Sequence, residues 1–246
     1  MIKFFRKIRY DLMEKNKTGK YLKYAIGEII LVVIGILIAL SINNWNENRK
    51  SKIASVEIYN NLLQTLRQDS IKIQQIIKFQ KRSIEAQEKI LTSNMQSDYI
   101  VKNNLMIDII RGSISFFPNE GPYNSIVSNN ELDLIYSKTL KTSIINLYDF
   151  QYKRYKNIDA IVDNKFQNQI FSIIDKKMMI YSVDTLSKDG QLIRRIDPIL
   201  LNRHYSELES EIKDTYRIMK TGFISLLEIQ KSINDLIIIL KEDLDD

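Results

Sequence analysis

The sequence predicts an all-α protein, a single N-terminal transmembrane helix continuing into an elongated antiparallel helical bundle of three long helices plus short ones. Three observations predict it. Ala25 to Ile42 reads AIGEIILVVIGILIALSI, eighteen residues with one charge. Past Trp45 the apolar residues recur at steps of three, four and seven, the period of packed helices. Only four glycines and three prolines follow Trp45, which is sparse punctuation for a sandwich or a barrel.

The apolar segment comes first. As a helix it is about 27 Å long, close to the thickness of a hydrocarbon core. Ala39-Leu40-Ser41 could pass for a small-x-small cleavage site, but the apolar core of a secretory signal runs to only about 7–15 residues, so the length favours an anchor. A type IV prepilin leader needs Glu five residues after its cleavage point. Here Gly27 and Glu28 are adjacent and Gly19 lies nine before Glu28, so that reading is set aside. Lys20, Tyr21, Lys23 and Tyr24 flank the near side and Trp45 the far side, as snorkelling cations and interfacial aromatics do. Of these, Lys20, Lys23, Tyr24 and Trp45 are the expected membrane-interface residues.

Charge sets the expected orientation. Residues 1–24 carry eight Lys or Arg against Asp11 and Glu14, a net +6. Residues 43–246 carry 28 basic and 27 acidic groups, a net +1. The positive-inside rule then places 1–24 in the cytoplasm as a basic tail, 25–45 across the inner membrane, and 46–246 in the periplasm. The pI near 9.2 belongs to the tail. A balanced outer domain argues against a nucleic-acid face, whereas the tail suits anionic lipids of the bilayer. The chain has no cysteine, so it forms no disulfide.

The remaining elements follow in order. Ile2, Phe5, Ile8 and Leu12, with Lys3, Arg6 and Lys7 between them, read either as a short basic amphipathic helix on the inner leaflet or as a disordered tail. Val56, Tyr59, Leu63, Leu66, Ile73, Ile77, Ile84 and Leu91 place one helix from the membrane to about Ser93, roughly 70 Å past Trp45. A short helix covers about Asp98 to Arg111. Gly112 to Pro122 is the main break. A short helix starts at Pro122, a turn falls at Asn129-Asn130, and Ser137 caps a third long helix. Its face is Leu140, Ile144, Leu147, Tyr155, Ile158, Val162, Phe166, Ile173 and Ile180. The chain breaks again over 184–197, and Asp197-Pro198 starts another helix. The last stripe is Leu208, Ile212, Tyr216, Met219, Phe223, Leu226, Ile233, Leu236 or Ile237, and Leu240. Short connections would make the three long helices alternate in direction. The 112–124 loop would then lie far from the membrane, the 184–197 loop near it and the C-terminus distal.

Two blocks carry a resemblance. Tyr24-Ala25-Ile26-Gly27-Glu28-Ile29, Leu31 to Leu40 and Asn43-Asn44-Trp45-Asn46-Glu47 form the first. Tyr123-Asn124-Ser125-Ile126 through Leu132-Asp133-Leu134-Ile135, with Leu140 and Tyr148, form the second. Together they resemble an uncharacterised family of single-span membrane proteins from Bacteroidota, described only as a domain of unknown function. That family often has Gly where this chain has Asn130, and Asn tolerates the same left-handed turn. The resemblance implies an inner-membrane protein with a periplasmic helical domain and supplies no activity.

The inventory for chemistry is thin. His204 is the only histidine. With Glu207 it forms an HxxE pair, half of what a di-iron bundle needs, and a solvated helix face accounts for it better. Glu207, Glu209, Glu211 and Asp214 suit a helix start. No phosphate loop, nucleophile elbow or triad can be assembled, so no catalytic, cofactor or metal residues are expected. Tyr148, Tyr152 and Tyr155 interleave with Lys153, Arg154 and Lys156, which fits either an anion- or glycan-binding patch or, better, tyrosines in the bundle seam. Phe116-Phe117-Pro118 is either tucked under the bundle or offered to a partner. Gly27, Glu28, Gly35 and Ala39 make a possible helix-association face in the bilayer. The expectation is a non-enzymatic envelope module that binds an envelope protein or itself. The alternative is a sensor-like periplasmic bundle that binds a ligand and signals through a partner.

Overall fold

The structure is a computed structural model and describes residues 10, 18–93, 96–183 and 192–245. The expected amphipathic segment at Ile2 to Leu12 lies outside the described residues apart from Tyr10, as do the side chains of Lys20, Tyr21 and Tyr24. The chain forms two compact units, Met1–Ser55 and Val56–Asp246.

The first unit is the N-terminal part of helix α1 (Thr18–Thr92). Its apolar side chains from Ile26 to Ile42 are exposed all round, and the most apolar eighteen-residue stretch has a mean hydropathy of 2.8. A helix segment apolar on every side is long and apolar enough to cross a membrane. The Ser41 hydroxyl donates to the Leu37 carbonyl at 2.8 Å, so the one hydroxyl near its end is satisfied locally.

In the second unit α1 buries a seam at Tyr59, Leu62, Leu66, Asp69, Ile73, Ile76, Gln80, Ser83, Gln87 and Ile90. The steps alternate four and three without a slip, a 3.5-residue period. The expected face ran partly beside this line, through Val56, Ile77 and Leu91, and Val56 is exposed. The displacement has a simple cause. Four seam positions, Asp69, Gln80, Ser83 and Gln87, are polar, so apolar residues one place away trace a more visible stripe.

The chain between α1 and the next long helix spans 93–137. It holds α2 (Ser97–Lys102), α3 (Leu105–Arg111), an extended strap at 114–120 and α4 (Gly121–Ser128). Asn104 takes φ 55° between α2 and α3, and Asn130 takes φ 56° after α4. Asn tolerates this left-handed region better than other side-chain-bearing residues. Gly112 sits so close to α1 and the last helix that a Cβ would lie 2.2 Å from Ser83 Oγ and 2.4 Å from Met219 Cε. Seven residues later the Asn119 amide reaches Asp69. Fourteen helical residues separate the two levels on α1, about 21 Å at 1.5 Å each. Seven residues cover that distance only when nearly fully extended, which is why 114–120 has no helix.

The second long helix, α5, spans 138–178. Ser137 caps it by accepting from the Leu140 amide. Three π-helical stretches interrupt it, at Asn146–Tyr152, Phe166–Ile170 and Ile174–Met178. Its buried residues include two runs in steps of four, Ile144, Tyr148 and Tyr152, then Phe166, Ile170, Ile174 and Met178. In an α-helix each step of four drifts roughly 40° around the axis. The wider π turns take up that drift and keep one face on the core.

A hairpin follows where the sequence suggested the end of a helix and a break. Strand β1 (Met179–Val183) pairs antiparallel with β2 (Leu192–Ile196), from Met179 opposite Ile196 to Val183 opposite Leu192. A lone hairpin is marginal in water. This one is tied at its base, where the Asp197 amide donates to the Met178 carbonyl at 2.9 Å. Asp197 Oδ1 then caps α6 (Pro198–Arg203) through the Ile199 and Leu200 amides. Helix α7 (Tyr205–Asp245) closes the unit with Leu208, Ile212, Thr215, Met219, Gly222, Leu226, Ile229, Ile233, Leu236 and Leu240 buried. This is again a strict four–three alternation. Thr215 and Gly222 occupy the line that Tyr216 and Phe223 were expected to hold.

Two core clusters fix the helix directions. One joins α1 around Leu62 to α5 around Leu147 and α7 around Leu236. The other joins α1 around Ile90 to α5 around Phe166 and α7 around Ile212. Helix α7 is therefore antiparallel to both others, but α5 runs parallel to the bundle part of α1, not back along it. The alternating order assumed short connections. The 45 residues of 93–137 form a long crossover that returns the chain to its starting end before α5 begins.

The close approach at Gly112 gives a test. Gly112→Ala should destabilise the bundle by about 1–3 kcal/mol through overpacking. Gly121→Ala meets only Asn119 Oδ1 at 3.4 Å and should stay within about 0.5 kcal/mol of the parent. Urea unfolding followed by circular dichroism at 222 nm measures both. Equal midpoints would contradict the packing described.

Candidate functional site

The polar centre of the second unit is Asp69, a carboxylate with 0 % exposure in the α1 seam. Its Oδ2 accepts from the Asn119 amide at 3.0 Å and from the Tyr152 hydroxyl at 3.4 Å. Lys72 Nζ approaches Oδ1 at 3.7 Å from one turn along α1. One side chain thereby ties together α1, the strap and the first π stretch of α5.

Aromatic rings fill the space around it. The strap sends Phe116 inward, 5.9 Å from Tyr152 at 67° and 6.3 Å from Tyr155 at 58°. Tyr123 of α4 stacks on Tyr148 at 4.5 Å and 10°, and Tyr148 meets Tyr152 edge-on at 5.1 Å. These separations suit stacked and edge-to-face pairs. The π turn at 146–152 helps present Tyr148 and Tyr152 to this cluster together.

Carboxylates take up most of the hydroxyls. Tyr123 donates to Asp149 at 2.6 Å, Tyr155 donates to Asp159 at 2.9 Å, and Lys153 also pairs with Asp149 at 2.6 Å. Burial, then the neighbouring carboxylates, pushes the pKa of Tyr123 and Tyr155 well above that of an ordinary phenol. Burial does the same first for Tyr148 and Tyr152. The phenols therefore stay protonated; Tyr123, Tyr152 and Tyr155 donate to carboxylates, while the buried Tyr148 hydroxyl has no hydrogen-bond partner among the described residues. Burial also raises Asp69, against the opposing effects of the Asn119 amide, Lys72 and Tyr152. Asp159 is raised mainly by burial too. Asp149 is lowered, first by Lys153 and then by Tyr123.

The sequence-derived candidates separate cleanly here. Phe116 is 3 % exposed and Phe117, the next residue, 78 %. Tyr148, Tyr152 and Tyr155 are buried, so their rings belong to the core and present no ligand patch. Phe117 alone of the five partner-binding candidates offers its ring to solvent. In the apolar helix, a Cβ on Gly27 or Gly35 would meet nothing within 4 Å, Ala39 is exposed and Glu28 half-buried. Lys23 is exposed and Trp45 is 67 % exposed. His204 Nδ1 lies 3.6 Å from Glu207 Oε2, while Glu207 also pairs with Lys177. Among the described residues no three His, Asp or Glu side chains gather as a metal site.

Asp69 and Asn119 were not among the expected site residues. One signal for Asp69 was present in the sequence, since it sits on the four–three line running from Tyr59 to Ile73.

These features define an all-α protein with one N-terminal helix long and apolar enough to span a membrane and a helical region clamped around a buried carboxylate. The chain belongs to a family of unknown function (DUF6090), which matches residues 28–199. The match runs from Glu28 to the start of α6 and includes Asp69, the strap and the tyrosine cluster. No curated protein and no solved structure matches the chain.

The raised pKa of Asp69 makes its effect on stability depend on pH. Its folded form holds the proton more tightly than the unfolded chain, so its contribution to stability is fully present below the ordinary value of 3.8. That contribution is lost as pH rises through the higher folded value. Asp69→Asn keeps an acceptor for Asn119 and removes the ionisation. Relative to the parent, the variant should therefore gain stability as pH is raised from 3.5 towards 7, as read by parallel urea titrations. A stability difference that stays constant across that range would show that Asp69 does not titrate with folding.

Proposed function

We propose that this protein is a non-enzymatic, membrane-anchored helical module that binds another envelope protein or a second copy of itself. The observation that carries the reading is the strap. Asp69 and the tyrosines hold it with Phe116 inside and Phe117 outside. A large exposed aromatic on an ordered, extended segment provides contact area at little ordering cost, as interface anchors do. The hydroxyls of Tyr123, Tyr152 and Tyr155 are engaged by Asp149, Asp69 and Asp159, which supports a structural role for them over a catalytic one.

Location rests on the sequence. The +6 tail in front of the apolar helix and the near-neutral chain after it favour a cytoplasmic N-terminus in the inner membrane and a periplasmic bundle. The resemblance to single-span Bacteroidota proteins supports the same placement. Gly27, Gly35 and Ala39, which are exposed, suit close approach of a second helix in the bilayer, with Glu28 beside them. The second reading, a ligand-binding bundle that acts through a partner, is favoured by an apolar cleft beside the hairpin.

A photo-crosslinking amino acid at position 117, used in living cells, tests the main reading. Irradiation should give a discrete adduct with an envelope protein or a second copy, and the same group at buried position 116 should not. No adduct at 117, or equal adducts at both positions, would sink the proposal. An adduct with a cytoplasmic protein would overturn the orientation.

A further inference from the structure

A cleft of about 460 Å³ opens between α3, the base of the hairpin and the start of α6. Met106, Ile107, Ile110, Met179, Ile196 and Pro198 give it an apolar wall. Met106 is fully buried, while Ile107 remains 43 % exposed at the cleft. The left-handed turn at Asn104 swings α3 away from α2, and Asn104 itself lines the cleft. Two charged residues also line it. Asp197 is committed to the cap of α6. Arg195 on β2 is exposed and forms no ion pair with any described residue.

Size, lining and charge together select a ligand. Small-molecule sites are mostly apolar concavities of about 300–1,000 Å³ with a few polar groups that fix orientation. A cavity of about 150 Å³ takes a benzene molecule, so this cleft has room for on the order of fifteen non-hydrogen atoms. The wall suits a flexible alkyl chain, because methionine side chains adapt to irregular apolar shapes. A guanidinium with no ion-pair partner among the described residues, on a residue that lines such a wall, is matched by a carboxylate, which it can bind through two parallel hydrogen bonds. We propose that this cleft binds one medium-chain fatty carboxylate, with the chain along α3 and the head group at Arg195. The site is independent of Phe117, and either proposal can fail without the other.

The test uses the full chain in lipid nanodiscs, since detergent would compete for the cleft, and a twelve-carbon carboxylate carrying a diazirine in its chain. Photolysis followed by peptide mapping should place label on α3 and the β2–α6 segment, and unlabelled dodecanoate should displace it. The apolar helix at 25–42 will also be labelled through the bilayer and serves as the internal reference. Ile107→Trp fills the cleft and should cut labelling of α3 at least tenfold while leaving the reference unchanged. Arg195→Gln should weaken competition by dodecanoate about tenfold, the loss expected for one charge-assisted contact, and leave competition by dodecanol unaltered. Label confined to 25–42, labelling indifferent to Ile107→Trp, or dodecanol competing as well as dodecanoate would each overturn the proposal. So would α3 labelling obtained only from a photoactivatable phospholipid.

Discussion

The second unit depends on one buried carboxylate. Taking the Asp69 side chain out of water is costly unless hydrogen bonds and a counter-charge replace its hydration. The Asn119 amide, the Tyr152 hydroxyl and Lys72 supply them. Each demand constrains a different part of the chain. The amide requires the strap to arrive at the level of residue 69. The hydroxyl requires the first π stretch of α5 to face α1 at the same height. Phe116 is then buried because the strap leaves it no other side, and Phe117, pointing the opposite way along extended chain, is left in solvent.

The strap also explains the directions of the long helices. The chain is pinned near Ser83 by the close approach at Gly112 and near Asp69 by Asn119. Between those points it travels back along α1, and α4 continues to the end of the unit where α5 begins. That backward run lets α5 start beside the earlier part of the α1 seam and lie parallel to it. The buried polar residues of α1 act as register marks, as polar groups do at core positions of paired helices. Gln87 donates to Ser83 Oγ, and Ser83 donates to the Ile109 carbonyl at the end of α3. A slip of one seam step would strand these groups in an apolar core.

Much of this was legible in the sequence, and the failures have physical causes. Turn and cap chemistry is local, so Ser137, Asp197-Pro198 and Asn130 could be assigned from residue type alone, and the structure places each as expected. The apolar helix was visible for the same reason. The α1 seam was blurred because Asp69, Gln80, Ser83 and Gln87 break the apolar stripe that marks a core face. The π turns stayed hidden, although the four-residue steps from Ile144 to Tyr152 record them. The hairpin was missed because Ile180 continues the helical stripe of α5. Direction depends on contacts between residues far apart in sequence, such as Tyr152 with Asp69, and no local pattern reports those.

The central claim is that Asp69 holds the strap in place. Hydrogen–deuterium exchange of the full chain, parent against Asp69→Ala, addresses it directly. The account predicts slow exchange of the Asn119 amide and its neighbours in the parent. In the variant, exchange should be fast over 113–121 while the core of α7 around Leu226 to Leu236 stays protected. Unchanged protection of 113–121 in the variant would contradict the account.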